Sequence, residues 1–167
     1  WPTATSIVKG QALGNALLTG GSVSVGELNV PGQFVWSDPS VMPAAGDGNY
    51  SVTFLPNNVN YYKSVEQTVA LHVKDVFRLA VESGENGSAM LIGQTADGLY
   101  VEGEALTLKA VPDANYRFTG WTLRTSGEQS LGKEPTKEIT VGSTTAGTYV
   151  ARFEPILWKV TKTVDGN

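Results

Sequence analysis

The chain has no cysteine among its 167 residues, which excludes a disulfide framework, a thiolate-ligated zinc and a cysteine nucleophile. It has one histidine, His72, so an imidazole-based catalytic triad would have to be built on that residue. No run of about 18 apolar residues occurs, which excludes a membrane-spanning helix. A basic stripe is missing too. The 12 basic and 16 acidic residues are scattered and leave a net charge of -4, unlike a surface built to neutralise phosphates. Neither a Gly-x-Gly-x-x-Gly cradle nor a Gly-Lys-Ser/Thr loop is present, so nucleotide binding has no support. Gly84 and Gly87 flank Ser83 and Ser88 in an order that is not the Gly-x-Ser-x-Gly elbow.

What the chain does have is alternation interrupted by turn residues, with 19 glycines and 8 prolines. The best case is 64–73, where Val65, Gln67, Val69, Leu71 and Val73 fall on one face and Glu66, Thr68, Ala70 and His72 on the other. Shorter strands are expected at 22–25, 33–37 and 50–54. Turn clusters separate them at Thr19-Gly20-Gly21, Pro31-Gly32, Ala45-Gly46-Asp47-Gly48-Asn49 and Pro56-Asn57-Asn58. No helical periodicity of ten or more residues appears. Residues 1–75 therefore read as a small β-sandwich.

A second set of strands is expected at 76–82, 89–92, 105–111, 116–123, 137–141 and 148–153, making a second module of residues 76–156. The junction at Lys74-Asp75 has no Gly/Ser linker, so a short polar hinge should hold the modules semi-rigidly end to end. Phe77-Arg78-Leu79-Ala80-Val81 with Glu85-Asn86-Gly87 is echoed by Trp158-Lys159-Val160-Thr161 with Asp165-Gly166-Asn167. Residues 157–167 are accordingly expected to open a further, truncated copy in a tandem array. Trp1-Pro2 follows no initiator Met or leader, and both ends read as cut from a longer chain.

Two resemblances enter here. Tyr50–Pro56 in a Tyr-x-Val-x-Phe-x-Pro pattern, followed by Asn60-Tyr61, resembles the closing half of bacterial immunoglobulin-like repeats. Gly10-Gln11-Ala12-Leu13 and Gly32-Gln33-Phe34-x-Trp36 resemble the opening half. In the second module, the run from Tyr100 to Pro112, then Tyr116-Arg117-Phe118-Thr119-Gly120-Trp121 and the closing Thr148–Phe153, resembles the divergent internalin B-type B-repeat. The resemblances imply an all-β chain: an Ig-like β-sandwich followed by a small β-rich module, of a kind in which some members resemble a β-grasp. They also imply an extracellular bacterial surface context and a non-enzymatic spacer or stalk role. The absence of cysteine fits an exported protein that relies on its core.

Candidate chemistry is sparse. His72 lies mid-strand on the polar face, and only its convergence with several carboxylates would make an enzyme. Glu102 and Glu104 stand two apart, whereas glycoside hydrolysis needs carboxylates opposed across a cleft. Asp47-Gly48-Asn49, Asp75 and Asp165-Gly166-Asn167 are oxygen-rich but do not form a calcium loop. Turn chemistry accounts for them, and Asp75 at the hinge is the best placed as a ligand. No cofactor site, metal site or nucleic-acid partner is indicated. Aromatics are the remaining route to a partner, a glycan or a host protein. Trp36 and Trp121 are expected in the cores and Tyr61 in a tyrosine corner. Tyr62, Tyr100 and Trp121 are the partner-binding candidates, with Tyr62 expected to point outward.

Overall fold

The computed structural model describes residues 1–158, which contain strands and one 3-10 turn but no α-helix. The chain is all-β. It divides into two compact units, Trp1–Val76 and Phe77–Asn167. The truncated copy expected at 157–167 lies, from Lys159 on, outside the described residues.

Unit 1 opens with β1 (Thr3–Ala4) and β2 (Ile7–Val8), a 3-10 turn at Leu13–Asn15, and β3 (Leu18–Thr19). A small hairpin of β4 (Ser24–Val25) and β5 (Leu28–Asn29) follows, then β6 (Gly32–Trp36), β7 (Gly46–Pro56) and β8 (Val65–Lys74). The principal sheet has the order β2-β8-β7-β6, and β1-β3 and β4-β5 are separate antiparallel pairs. β2 runs parallel to β8, pairing Ile7 with Val73 and Val8 with Lys74. Ile7, Leu13, Trp36, Val52, Leu71 and Val73 form the core, with Ala4 of β1 and Leu18 of β3 packed against it. The buried Trp36 ring donates from Nε1 to the Ala16 carbonyl at 2.9 Å, which satisfies its one polar atom.

The turn expected at 45–49 is instead the first part of β7. Gly46 to Asn49 pair in register with Val73 to Ala70. The alternating partner strand outweighs local turn propensity, and the Tyr50 ring lies where a Gly48 side chain would be. β8 also departs from uniform half-burial. Val69, Leu71 and Val73 are buried, whereas Val65 and Gln67 on the same face are exposed. The second layer consists of two-residue strands, too short to face the whole of the ten-residue β8.

Unit 2 contains β9 (Val76–Ser83), β10 (Gly87–Ile92), β11 (Leu99–Val101), β12 (Ala105–Pro112), β13 (Tyr116–Arg124), β14 (Glu128–Ser130), β15 (Thr136–Thr140) and β16 (Gly147–Pro155). They form a five-stranded sheet, β11-β9-β16-β13-β14, and a three-stranded sheet, β10-β12-β15. One core joins them: Leu79, Tyr100, Trp121 and Tyr149 from the first, and Leu91, Leu108 and Ile139 from the second. The first and last strands, β9 and β16, are parallel neighbours paired from Gly147–Leu79 to Ala151–Ser83. These two strands sit side by side within the five-stranded sheet, and the second layer of unit 2 is the three-stranded sheet.

Candidate partner-binding surface

Of the three aromatics singled out as partner-binding candidates, two are inside. Tyr100 is 2% exposed and Trp121 is 1% exposed, so neither presents a surface to a partner. Tyr100 sits in the short strand β11, and its hydroxyl accepts from the Thr95 N–H at 3.2 Å. Trp121 packs against Phe118 at 5.6 Å between ring centroids, and among the described residues its Nε1 has no hydrogen-bond partner. Alternation along β13 placed Trp121 on the core side, as expected for the large apolar residue of the module.

The tyrosine pair at 61–62 is reversed from expectation. The strand has not yet begun there: Asn58 organises a turn, accepting from the Tyr61 and Tyr62 N–H groups on its carbonyl and from the Asn60 N–H on Oδ1 at 3.2 Å. This turn points Tyr61 outward at 82% exposure and leaves Tyr62 half-buried. Tyr61 therefore makes no tyrosine corner. The hydroxyl-to-backbone bond expected of it is made in unit 2 by Tyr149, which donates to the Thr145 carbonyl four residues upstream at 2.6 Å. Burial raises the Tyr149 phenol above its ordinary pKa, against the opposing effect of that hydrogen bond.

Around Tyr61 and Tyr62 lies a groove of about 340 Å³, within the range of about 300–1,000 Å³ that ligand clefts occupy. Its walls are Val25 of β4, Phe54 of β7 and Val65 of β8, with Val30 between β5 and β6. The turn contributes Tyr61, Tyr62 and Lys63. Phe54 is held from behind by an aromatic series, Trp1 to Phe34 at 5.3 Å and Phe34 to Phe54 at 5.1 Å. Beside the groove, the hairpin places Val25 opposite Leu28, each 61% exposed. Lys63 forms no ion pair or hydrogen bond among the described residues.

The remaining chemical candidates are dispersed. His72 and Asp47 are cross-strand partners, with Nδ1 and Oδ1 2.7 Å apart and the Asp47 side chain 91% exposed. Glu102 and Glu104 occupy the turn between β11 and β12. Asp75 accepts from the Val76 N–H at 2.9 Å and pairs with Lys9 at 3.1 Å. Those two partners, the N–H first, hold its carboxyl below the usual carboxylate value. Among the described residues no group of three His, Cys, Asp or Glu side chains converges as a metal site, and no helix is long and apolar enough to cross a membrane.

The five-stranded sheet of unit 2 carries a different surface. Arg124 pairs with Glu82 at 3.0 Å, Arg152 with Glu128 at 3.2 Å, and Arg117 with Glu154. Each such exposed pair contributes at most about 1 kcal/mol, and together they cover this sheet with neutralised charge.

The fold thus defines an all-β protein of two compact units. Residues 77–157, just under half of the chain, match the family described as the divergent InlB B-repeat domain. No curated protein and no solved structure matches the chain.

Proposed function

We propose that this chain is a non-enzymatic, load-bearing spacer segment of a bacterial cell-surface, adhesin-like protein, exported to the outside of the cell. In this reading the N-terminal unit is a bacterial Ig-like module, the C-terminal unit is a B-repeat, and each is a monomeric link in a tandem array without a cofactor. The family match over 77–157 supports the surface context. The observation that carries the mechanical role is the pairing of first and last strands. β9 and β16 are parallel neighbours over five register pairs, so tension on the two ends of unit 2 pulls them in opposite directions along their shared ladder. Their hydrogen bonds are loaded together, in shear, instead of being opened one after another. β2 and β8 repeat the arrangement in unit 1 over two pairs, reinforced by the Lys9 N–H to Lys74 carbonyl bond at 2.9 Å and the Lys9–Asp75 ion pair.

The absence of cysteine allows attachment points to be chosen freely. Cysteines at Arg78 and Glu154 would load unit 2 in shear. Cysteines at Asp113 and Glu154 would peel β13 from β16, because Tyr116 faces Pro155 at the end of that antiparallel pair. Single-molecule pulling should give a several-fold higher rupture force in the first geometry. Equal forces would remove the mechanical argument.

A further inference from the structure

We propose that the groove of unit 1 is a docking site for a protein partner that inserts an apolar or aromatic side chain flanked by a carboxylate. The proposal goes beyond the spacer role, which uses the sheet and leaves this end of the unit unexplained. Its physical origin is the mismatch between layers: Val65 and Gln67 lie on the inner face of β8 yet remain exposed. Val25 and Tyr61 both line the apolar space beside Val65. Val25, Leu28, Val59 and Tyr61 stay exposed in the folded unit, so burial of such side chains against a partner is free energy that folding has left unused.

Charge selects the partner. Lys63 is the one charged residue lining the groove, and among the described residues nothing neutralises it, whereas Lys9 is paired with Asp75. An occupant with an apolar body and a nearby anion satisfies both features, and a cationic one is repelled. A glycan fits less well. The side chains lining it offer few polar atoms to share among the many hydroxyls of a sugar: Ser24, two phenols and the ammonium.

The test uses the full chain and three indole probes of nearly equal size: indole-3-acetate, neutral indole-3-acetamide and cationic tryptamine, titrated while amide resonances are followed. Indole-3-acetate should shift the amides of Val25, Tyr61 and Lys63 with a dissociation constant on the order of millimolar. It should bind about threefold more tightly than tryptamine, the discrimination expected of one exposed charge. Lys63→Glu should invert that order, and the double variant Val25→Ser, Tyr61→Ser should abolish the shifts. All three side chains are exposed, so these variants keep the fold. Equal affinity for the three probes, shifts confined to Leu157 and Trp158, or shifts at the groove with methyl galactoside but none with indole-3-acetate would each overturn the proposal.

Discussion

The two units solve the same problem with different completeness. Each sets its first strand of the main sheet parallel to its last, and each encloses one apolar core. Unit 2 closes that core with a full three-stranded sheet and covers a broad face with paired charges. Unit 1 closes its core with two-residue strands and leaves one end open beside an unpaired lysine. A layer that is too short leaves apolar surface uncovered, and the chemistry of that surface then becomes available for binding. The same sheet logic yields a closed core in unit 2 and a core flanked by an open groove in unit 1.

The largest expected effect that could break this comparison comes from the core of unit 2. Leu108 is fully buried at the centre of its second layer, and Leu108→Ala should cost about 2–5 kcal/mol. In urea denaturation the transition of unit 2 should move while that of unit 1 stays in place. A common shift of both would deny their independence. Next is Gly32→Ala at the edge of unit 1. An added Cβ would stand 2.5 Å from the Leu55 carbonyl oxygen and 2.4 Å from the Phe54 ring, and overpacking of this kind costs about 1–3 kcal/mol. Circular dichroism should report a lower Tm for unit 1, together with weaker binding at the groove, because Phe54 forms its wall.

Smaller effects follow from titration: lowered carboxylates occur in both units, and unit 2 adds a raised phenol. Asp38 and Asp75 in unit 1 have lowered pKa values, through hydrogen bonds from Ser40 and from Val76 respectively. Asp97 in unit 2 is lowered by the Leu99 N–H. A lowered carboxylate contributes stability above its ordinary value of about 3.9, which is lost as pH falls through the folded value. Tyr149 is raised, so its contribution is complete below about pH 10 and is lost as pH rises through the higher folded value. Melts across pH should find acid weakening unit 1 slightly more and alkali weakening unit 2 first. The smallest effect is at the surface. Glu128→Gln removes the partner of Arg152 and should change unit 2 by less than about 1 kcal/mol, with the difference reduced further in high salt.

The strands that alternate over many residues were legible in the sequence. β8, β9, β12, β13 and β16 fall within one or two residues of where alternation puts them, because a half-buried strand must show its period. The paired two-residue strands β1 and β3 carry no period to read, and the parallel pairings of β2 with β8 and β9 with β16 join residues far apart in the chain. Turn chemistry misled at Gly46–Asn49, where pairing with β8 prevails. At the groove, Tyr62 was legible as a residue near a surface, but the exposed partner is Tyr61, since the turn at Asn58 delays the strand. A signal for the groove was present in Val23, Val25, Leu28 and Val30 around Gly26-Glu27, which describe a hairpin with an apolar side. Tyr100 gave no such signal: its three-residue strand is buried only because the core of unit 2 forms around it.

The central claim, that the parallel terminal strands bear load, is tested most directly by pulling the full chain from its two ends. β9 and β16 share five register pairs and β2 and β8 share two, so two ruptures per molecule are expected, the weaker from unit 1 and the stronger from unit 2. Ala80→Pro should lower only the stronger one. The Leu79 N–H goes to Gly98, which turns the Ala80 N–H toward β16, and proline removes that donor. Two ruptures of equal force, both unaffected by Ala80→Pro, would mean that the parallel strand pairs do not bear the load.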